Sequence, residues 1–186
     1  LPTPAIGGVG LLKQHDKAVG NRFTAEGQII YLLGDTKGHL GASLYQRDIL
    51  GNDSVFAPPP VNLDAEAAHG AVVREAIDKG LIAAAHDVSD GGLAVSLAEM
   101  AIGHNIGAEI SAQGDTGFWF GEDQARYVLA VTADNAAAFE TLAGGLPLHK
   151  IGTTTGAELK FGDTVTISVK QLHDLNEGWF PALMQG

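Results

Sequence analysis

The sequence predicts a layered α/β (α+β) domain in which a mixed β-sheet is covered by helices. Three observations carry that expectation. Short apolar or β-branched runs alternate with stretches of helical period along all 186 residues. Hydrophobic residues make up 45%, enough to bury a sizeable core. Charged residues reach only 18%, below the ~25% of ordinary soluble domains, so much of the chain is interior or interface.

Residues 1–22 read as an arm or linker. Pro2, Pro4 and Gly7-Gly8-Val9-Gly10 discourage helix, and Lys13–Arg22 is polar without a period. Leu1-Pro2-Thr3-Pro4 has neither an initiator Met nor the charged start of a signal peptide, so the arm is expected to enter from a longer protein. The α/β domain is expected over 23–186. Gln28–Leu33 reads as a buried strand ending in a turn at Gly34-Asp35, and Gly41–Leu50 as a short helix stopped by Gly51-Asn52. Residues 52–60 end in Pro58-Pro59-Pro60, a stiff connector.

A helix follows, capped by Asn62 or Asp64, with Ala65, Ala68, Val72, Ala76 and Ile77 on one stripe and Lys79-Gly80 as its stop. Leu81–His86 is an apolar strand and Asp87–Gly92 a tight turn. The helix after it, with Leu93, Ala94, Leu97, Ala98 and Ala101, is apolar almost all round and belongs in the interior. Strands are predicted at Ala108–Ser111, Arg126–Thr132, near Leu148–Thr153 and at Thr164–Val169, with a helix at Asp134–Leu142 closed by Gly144-Gly145. A terminal helix from Gln171 to about Met184 is expected to break at Gly178 and Pro181.

Charge narrows the partners. With 11 Lys+Arg against 22 Asp+Glu the net charge is −11, and no basic stripe exists to displace the counterions of a nucleic acid or to meet an anionic membrane. No apolar run approaches the ~20 residues that span a bilayer. The absence of cysteine removes disulfides, thiolate metal sites and a cysteine nucleophile, and accords with the cytoplasm.

Chemistry concentrates in His86-Asp87-Val88-Ser89-Asp90-Gly91-Gly92, between an apolar strand and a buried helix. A helix N-terminus offers amides and partial positive charge, and glycines let a ligand approach the backbone. Two aspartates there would repel a bare phosphate, but they suit one accompanied by Mg²⁺. The plainer alternative is that Ser89 or Asp90 caps the helix and the glycines allow close packing.

Four stretches together resemble one family: Pro2–Gly10, Leu33-Gly34-Asp35-Thr36, Ala85–Ala94 with Leu97-Ala98-Glu99-Met100-Ala101, and Phe120-Gly121-Glu122-Asp123-Gln124-Ala125-Arg126-Tyr127. They resemble the phosphoribosylformylglycinamidine synthases, within the ATP-dependent superfamily of aminoimidazole ribonucleotide synthetase, selenophosphate synthetase and thiamin-monophosphate kinase. The resemblance implies the fold of that superfamily's C-terminal domain, preceded by an ATP-site domain that is not in this chain. It implies a parent ligase of purine biosynthesis that amidates formylglycinamide ribonucleotide with ATP and glutamine-derived ammonia, working with a glutaminase and a small accessory subunit. It further implies Mg²⁺ and ATP or ADP as the parent's cofactors. Asp87 is then a metal-ligand candidate, and Ser89, Gly91 and Gly92 are nucleotide- or phosphate-binding candidates, in an auxiliary site. The resemblance assigns no catalytic residue to this chain, so by itself it is expected to be inactive and to bind no cofactor. An autonomous magnesium-nucleotide-binding module, or another ATP-dependent member of the superfamily, is the alternative.

Other candidates carry less. None of the seven histidines has metal-motif spacing. His39 reads as a loop residue, and His86 as either a satisfied core histidine or a partner of Asp87. Glu122 and Arg126 read as a structural ion pair, a phosphate role for Arg126 being the minor option.

Overall fold

The computed structural model describes residues 7–12, 14–52 and 57–185. The opening Pro2–Ile6 of the expected arm and residues 53–56 of the connector lie outside the described residues.

Among the described residues, seven strands form one mixed sheet. They are β1 Ile29–Leu33, β2 Ala84–Asp87, β3 Ala108–Ile110, β4 Tyr127–Val131, β5 Leu148–Thr154, β6 Glu158–Phe161 and β7 Val165–Ser168, in the order β2-β4-β1-β5-β3-β6-β7. All neighbours run antiparallel except β3 and β6. Five α-helices accompany it: α1 Leu63–Asp78, α2 Gly92–Ile102, α3 Thr116–Phe120, α4 Ala136–Ala143 and α5 Val169–Met184.

The side-chain alternation of β1 and β4 explains the layering. Ile30 and Leu32, with Val128 and Ala130, point to one face, where they meet Leu93, Leu97 and Met100 of α2, Phe23 and Val169. Tyr31 and Leu33, with Leu129 and Val131, point to the other, against Val73 and Ala76 of α1 and Phe139 of α4. Both strands are therefore buried on two faces, as a continuous apolar run requires. The three large α2 side chains are fully buried, each contributing roughly 1.5–3 kcal/mol relative to exposure. The second face stays open over β3, β5 and β6, where Glu109 and Lys150 are exposed and Lys160 half-buried.

Asn62 caps α1, its side-chain oxygen accepting the Asp64 and Ala65 amides at 3.1 Å. Two elements go beyond expectation: α3, capped by Asp115, and β6. The short helix expected at Gly41–Leu50 is a π-helical segment at Tyr45–Ile49. The strand expected at Leu81–His86 starts only at Ala84, because Ala76 O still receives the Leu81 amide in the turn that closes α1. The expected break in α5 does not occur. Pro181 lies inside the helix, where it removes one amide donor, and the Glu177 carbonyl it leaves is on an exposed residue that water can serve.

Candidate functional site

The strand β2 delivers Asp87 to the sheet end, where the Val88 amide still donates to Arg126 O at 2.9 Å. Ser89 and Asp90 are exposed. Gly91 then turns left-handed as the N-cap of α2, with no side chain capping it. The capping alternative for Ser89 and Asp90 is thus not what the structure adopts. A turn of two successive left-handed residues starts this helix, and the glycines supply it.

At Gly92, with φ of +72°, a Cβ would lie 2.7 Å from Gly121 O and 2.8 Å from Phe120. The backbones of the two motif stretches touch here, and only a residue without a side chain fits. Both glycine amides are already engaged. Gly91 N donates to Glu122 Oε1 at 2.8 Å and Gly92 N to Ser89 O at 3.0 Å. Gly91 and Gly92 therefore shape the turn, while Asp87 and Ser89 stand at its surface.

Sequence reasoning missed the part played by Glu122 and Asp123. Glu122 Oε1 also accepts the Leu44 amide at 2.8 Å. Asp123 accepts three consecutive amides: Lys37 at 2.9 Å and Gly38 at 2.8 Å on Oδ2, and His39 at 3.3 Å on Oδ1. This is the geometry in which a run of amides grips an anion, and here the anion is the protein's own. No local signal marks them, because the loop amides they accept lie 78 to 86 positions away in sequence.

The expected Glu122–Arg126 ion pair does not form. Arg126 is 1% exposed and donates to Asp123 O at 3.1 Å, Thr36 Oγ1 at 3.1 Å and Gly121 O at 2.5 Å. Burial pulls its pKa down, partly opposed by the Asp123 charge. The residue is buried and all three of its guanidinium nitrogens are bonded within the protein, so it serves the fold and does not face a phosphate. Thr36, Gly91 and the 120–126 loop belong to three of the four family-like stretches, and one polar knot ties them together.

His86 is a satisfied, nearly buried histidine. Its Nδ1 donates to Asp87 O at 2.6 Å and its Nε2 lies 3.2 Å from Glu99. It also stands 3.6 Å from the Asp87 carboxylate, whose side chain is 68% exposed. His39 is a loop residue as expected, with Nε2 2.9 Å from Ala57 O. Beside Ser89 a cleft of about 420 Å³ is lined by Asn21, Arg22, His86, Glu99, Asn176 and Glu177, among others. Among the described residues no group of three His, Cys, Asp or Glu could hold a metal by itself. No helix among them is long and apolar enough to cross a membrane.

The chain matches the family "AIR synthase related protein, C-terminal domain" over residues 25–163. The phosphoribosylformylglycinamidine synthase subunit PurL of Rhodopseudomonas palustris (strain TIE-1) is 48% identical over 192 aligned positions, covering 100% of this chain and 26% of that protein. The corresponding subunit of Parvibaculum lavamentivorans is 47% identical, covering 99% and 26%. The chain thus spans about a quarter of the length of these curated relatives. Among solved structures, T. maritima PurL complexed with FGAR superposes with a TM-score of 0.71 at 19% identity, over 86% of this chain and 30% of that one. The same protein complexed with ATP, and PurLQS from Thermotoga maritima, superpose at 0.65 over 86% of this chain and 28% of theirs. At such identities the likeness is one of fold, and it matches the mixed sheet and helices described above.

Proposed function

The chain belongs to the family of AIR synthase related protein C-terminal domains, and from that premise we propose that it serves as the closing α/β domain of a phosphoribosylformylglycinamidine synthase. The observation that carries the proposal is identity of 48% to a PurL subunit along the entire chain, arm and α5 included. The parent reaction uses ATP to replace the formyl-amide oxygen of formylglycinamide ribonucleotide with ammonia drawn from glutamine. A glutaminase and a small accessory subunit are its proposed partners and the cytoplasm its compartment. The ATP-site domain preceding the arm, residues 1–22, is the proposed neighbour within the longer protein.

Within that scheme the domain holds a shape. The Glu122–Asp123–Arg126 knot locks the loop after β1 against the start of α2, which fixes the turn bearing Asp87 and Ser89. Those two supply one exposed carboxylate and one exposed hydroxyl. Such a donor set suits Mg²⁺ that takes most of its shell from waters and phosphate oxygens. Asp87 would ligate the ion and Ser89 would hydrogen-bond the nucleotide, with Gly91 and Gly92 setting the distance between backbone and phosphate. When bound, the ion would neutralise phosphate charge that this acidic chain cannot.

A chimera tests the proposal. The matching quarter of R. palustris PurL is replaced by this chain, and ATP-dependent amidation of formylglycinamide ribonucleotide is assayed with ammonia, then with glutamine and the partner subunits. Turnover within about tenfold of the parent supports the proposal, a loss of ~1.4 kcal/mol in transition-state stabilisation being the limit set for a transplanted domain. A folded chimera without turnover overturns it.

A further inference from the structure

A second polar group gathers at the same sheet end, on the α1 side. Asp87 and Tyr127 are register partners across β2 and β4, so their side chains leave the sheet next to each other. Glu66, Gly70 and Arg74 stand one turn apart along α1 and share a face. His69 pins the helix to the approach to β4: it is 5% exposed, and its Nδ1 lies 2.7 Å from Ala125 O. At Gly70 a Cβ would lie 3.4 Å from Arg74 Nη1 and 3.7 Å from Tyr127 Oη. The missing side chain leaves a notch with a guanidinium and a phenol at its rim.

The fold does not use these tips. Among the described residues neither the Arg74 guanidinium nor the Tyr127 hydroxyl has a hydrogen-bond or ion-pair partner, although Arg74 is exposed and Tyr127 half-buried. Burial raises the Tyr127 pKa first, the carboxylates of Glu66 and then Asp87 raise it further, and Arg74 lowers it. All three charges therefore act on one hydroxyl. Two carboxylates against one guanidinium leave the notch negative, and a bare anion is repelled. A divalent ion carrying phosphate oxygens in its shell meets both halves of the group. The carboxylates suit the ion, and the guanidinium and phenol suit the oxygens.

We propose that Arg74 and Tyr127 are the phosphate-oxygen donors of the Asp87 site, and that Glu66 is its second carboxylate, for a di- or triphosphate carried by Mg²⁺. The proposal rests on the reading of Asp87 given above. It brings to that site three side chains from outside the motif, two on α1 and one on β4.

Nitrogen–proton NMR spectra of the 186-residue chain test it, with Mg²⁺ alone, Mg·tripolyphosphate and Mg·ATP titrated in turn. Mg²⁺ alone is expected to move the amides of 66 and 87, and both phosphate complexes to move the Arg74 Nε–H as well. Arg74→Gln combined with Tyr127→Phe is expected to weaken both complexes at least about tenfold and to leave the response to Mg²⁺ alone unchanged. Arg74→Lys is expected to keep part of the affinity. Neither changed side chain is bonded in the fold, and an unaltered spectrum elsewhere is the control for folding. An Arg74 signal that stays still, or equal affinities in variant and wild type, overturns the proposal. So does a response to Mg·ATP without one to Mg·tripolyphosphate, since the nucleoside would then be what is read. Shifts confined to Asn21, Glu99 and Asn176 also overturn it, because the ligand would then lie in the cleft beside α2. A responding Arg74 with a folded but inactive chimera upholds the donor pair and fails only the catalytic proposal. An active chimera with a silent Arg74 does the reverse.

Discussion

Gly91 and Glu122 are joined by a 2.8 Å hydrogen bond from the glycine amide to a carboxylate oxygen that also holds the Leu44 amide. One oxygen thereby connects the start of α2 to the loop after β1. The expected consequence is that Glu122→Ala destabilises the fold by about 3 kcal/mol, two charge-assisted bonds being lost at once. Glu122→Gln, which keeps an acceptor but not the charge, should cost about 1 kcal/mol. Urea denaturation of the three proteins checks the order, and equal midpoints would refute it.

Two glycines with the same sign of φ should respond differently to alanine. At Gly92 the added Cβ meets the backbone of Phe120 and Gly121, while at Gly27, with φ of +78°, it meets nothing within 4 Å. Gly27→Ala is therefore expected to cost about 1 kcal/mol of backbone strain. Gly92→Ala should cost at least about 3 kcal/mol, strain and overlap adding. Thermal melts of the pair measure the difference.

Arg126 offers a substitution that looks conservative and is not. Lysine has a single ammonium where three separate acceptors now receive guanidinium N–H groups. Arg126→Lys should lose about 2–3 kcal/mol, as expected when buried neutral acceptors lose their donors. A midpoint within experimental error of the wild type would show that the knot does not depend on the fork.

Stability should also fall at high pH. Burial, and then its bond and proximity to Glu140, push the Tyr31 phenol up from 10.0 to about 12. The unfolded chain releases that proton first, so the contribution is whole below pH 10 and is lost as pH rises through about 12. Tyr127 is raised in the same direction, chiefly by burial, so Tyr31→Phe should flatten the decline without abolishing it. Denaturant midpoints between pH 9 and 12 report the slope.

By itself the chain is expected to bind Mg·ATP no more tightly than the ~millimolar range, because Asp87 and Ser89 supply only part of an octahedral shell. Calorimetry on the wild type and Asp87→Asn decides this. Sub-micromolar binding that the substitution abolishes would favour an autonomous nucleotide-binding module over a domain that needs its neighbour.

What could be read in advance follows from the range over which each signal acts. The α1 helix announces itself through the Asn62 cap and its apolar spacing, although its buried face runs through His69, Val73 and Ala76 and leaves Ala68 of the expected stripe exposed. β1 and β4 announce themselves through unbroken apolar runs. The five residues of α3 and the four of β6 are too short to show a period, and tertiary packing decides them. α3 is held where Trp119 meets Phe161 and Phe118, and both α3 rings pack against the core. The motif around Asp87 was legible as a place of interest. That its glycine amides are taken by Glu122 and by Ser89 was not, because Glu122 lies 31 positions away from Gly91. Similarly, Arg126 four residues after Glu122 suggests an ion pair only if the segment is helical, and it is a loop leading into a strand.

The position of β1 in the sheet bears on how the protein is made. It sits between β4 and β5, and β4 does not begin until Tyr127. A chain emerging from the ribosome therefore carries Ile30, Tyr31, Leu32 and Leu33 for nearly a hundred further residues before either strand partner exists, as the interval from Leu33 to Tyr127 shows. Sheets closed by such distant pairings fold slowly and leave sticky edges waiting. Synthesis, more than the finished fold, is then the stage at which this domain is most exposed to aggregation, and where a chaperone would find a strand to hold.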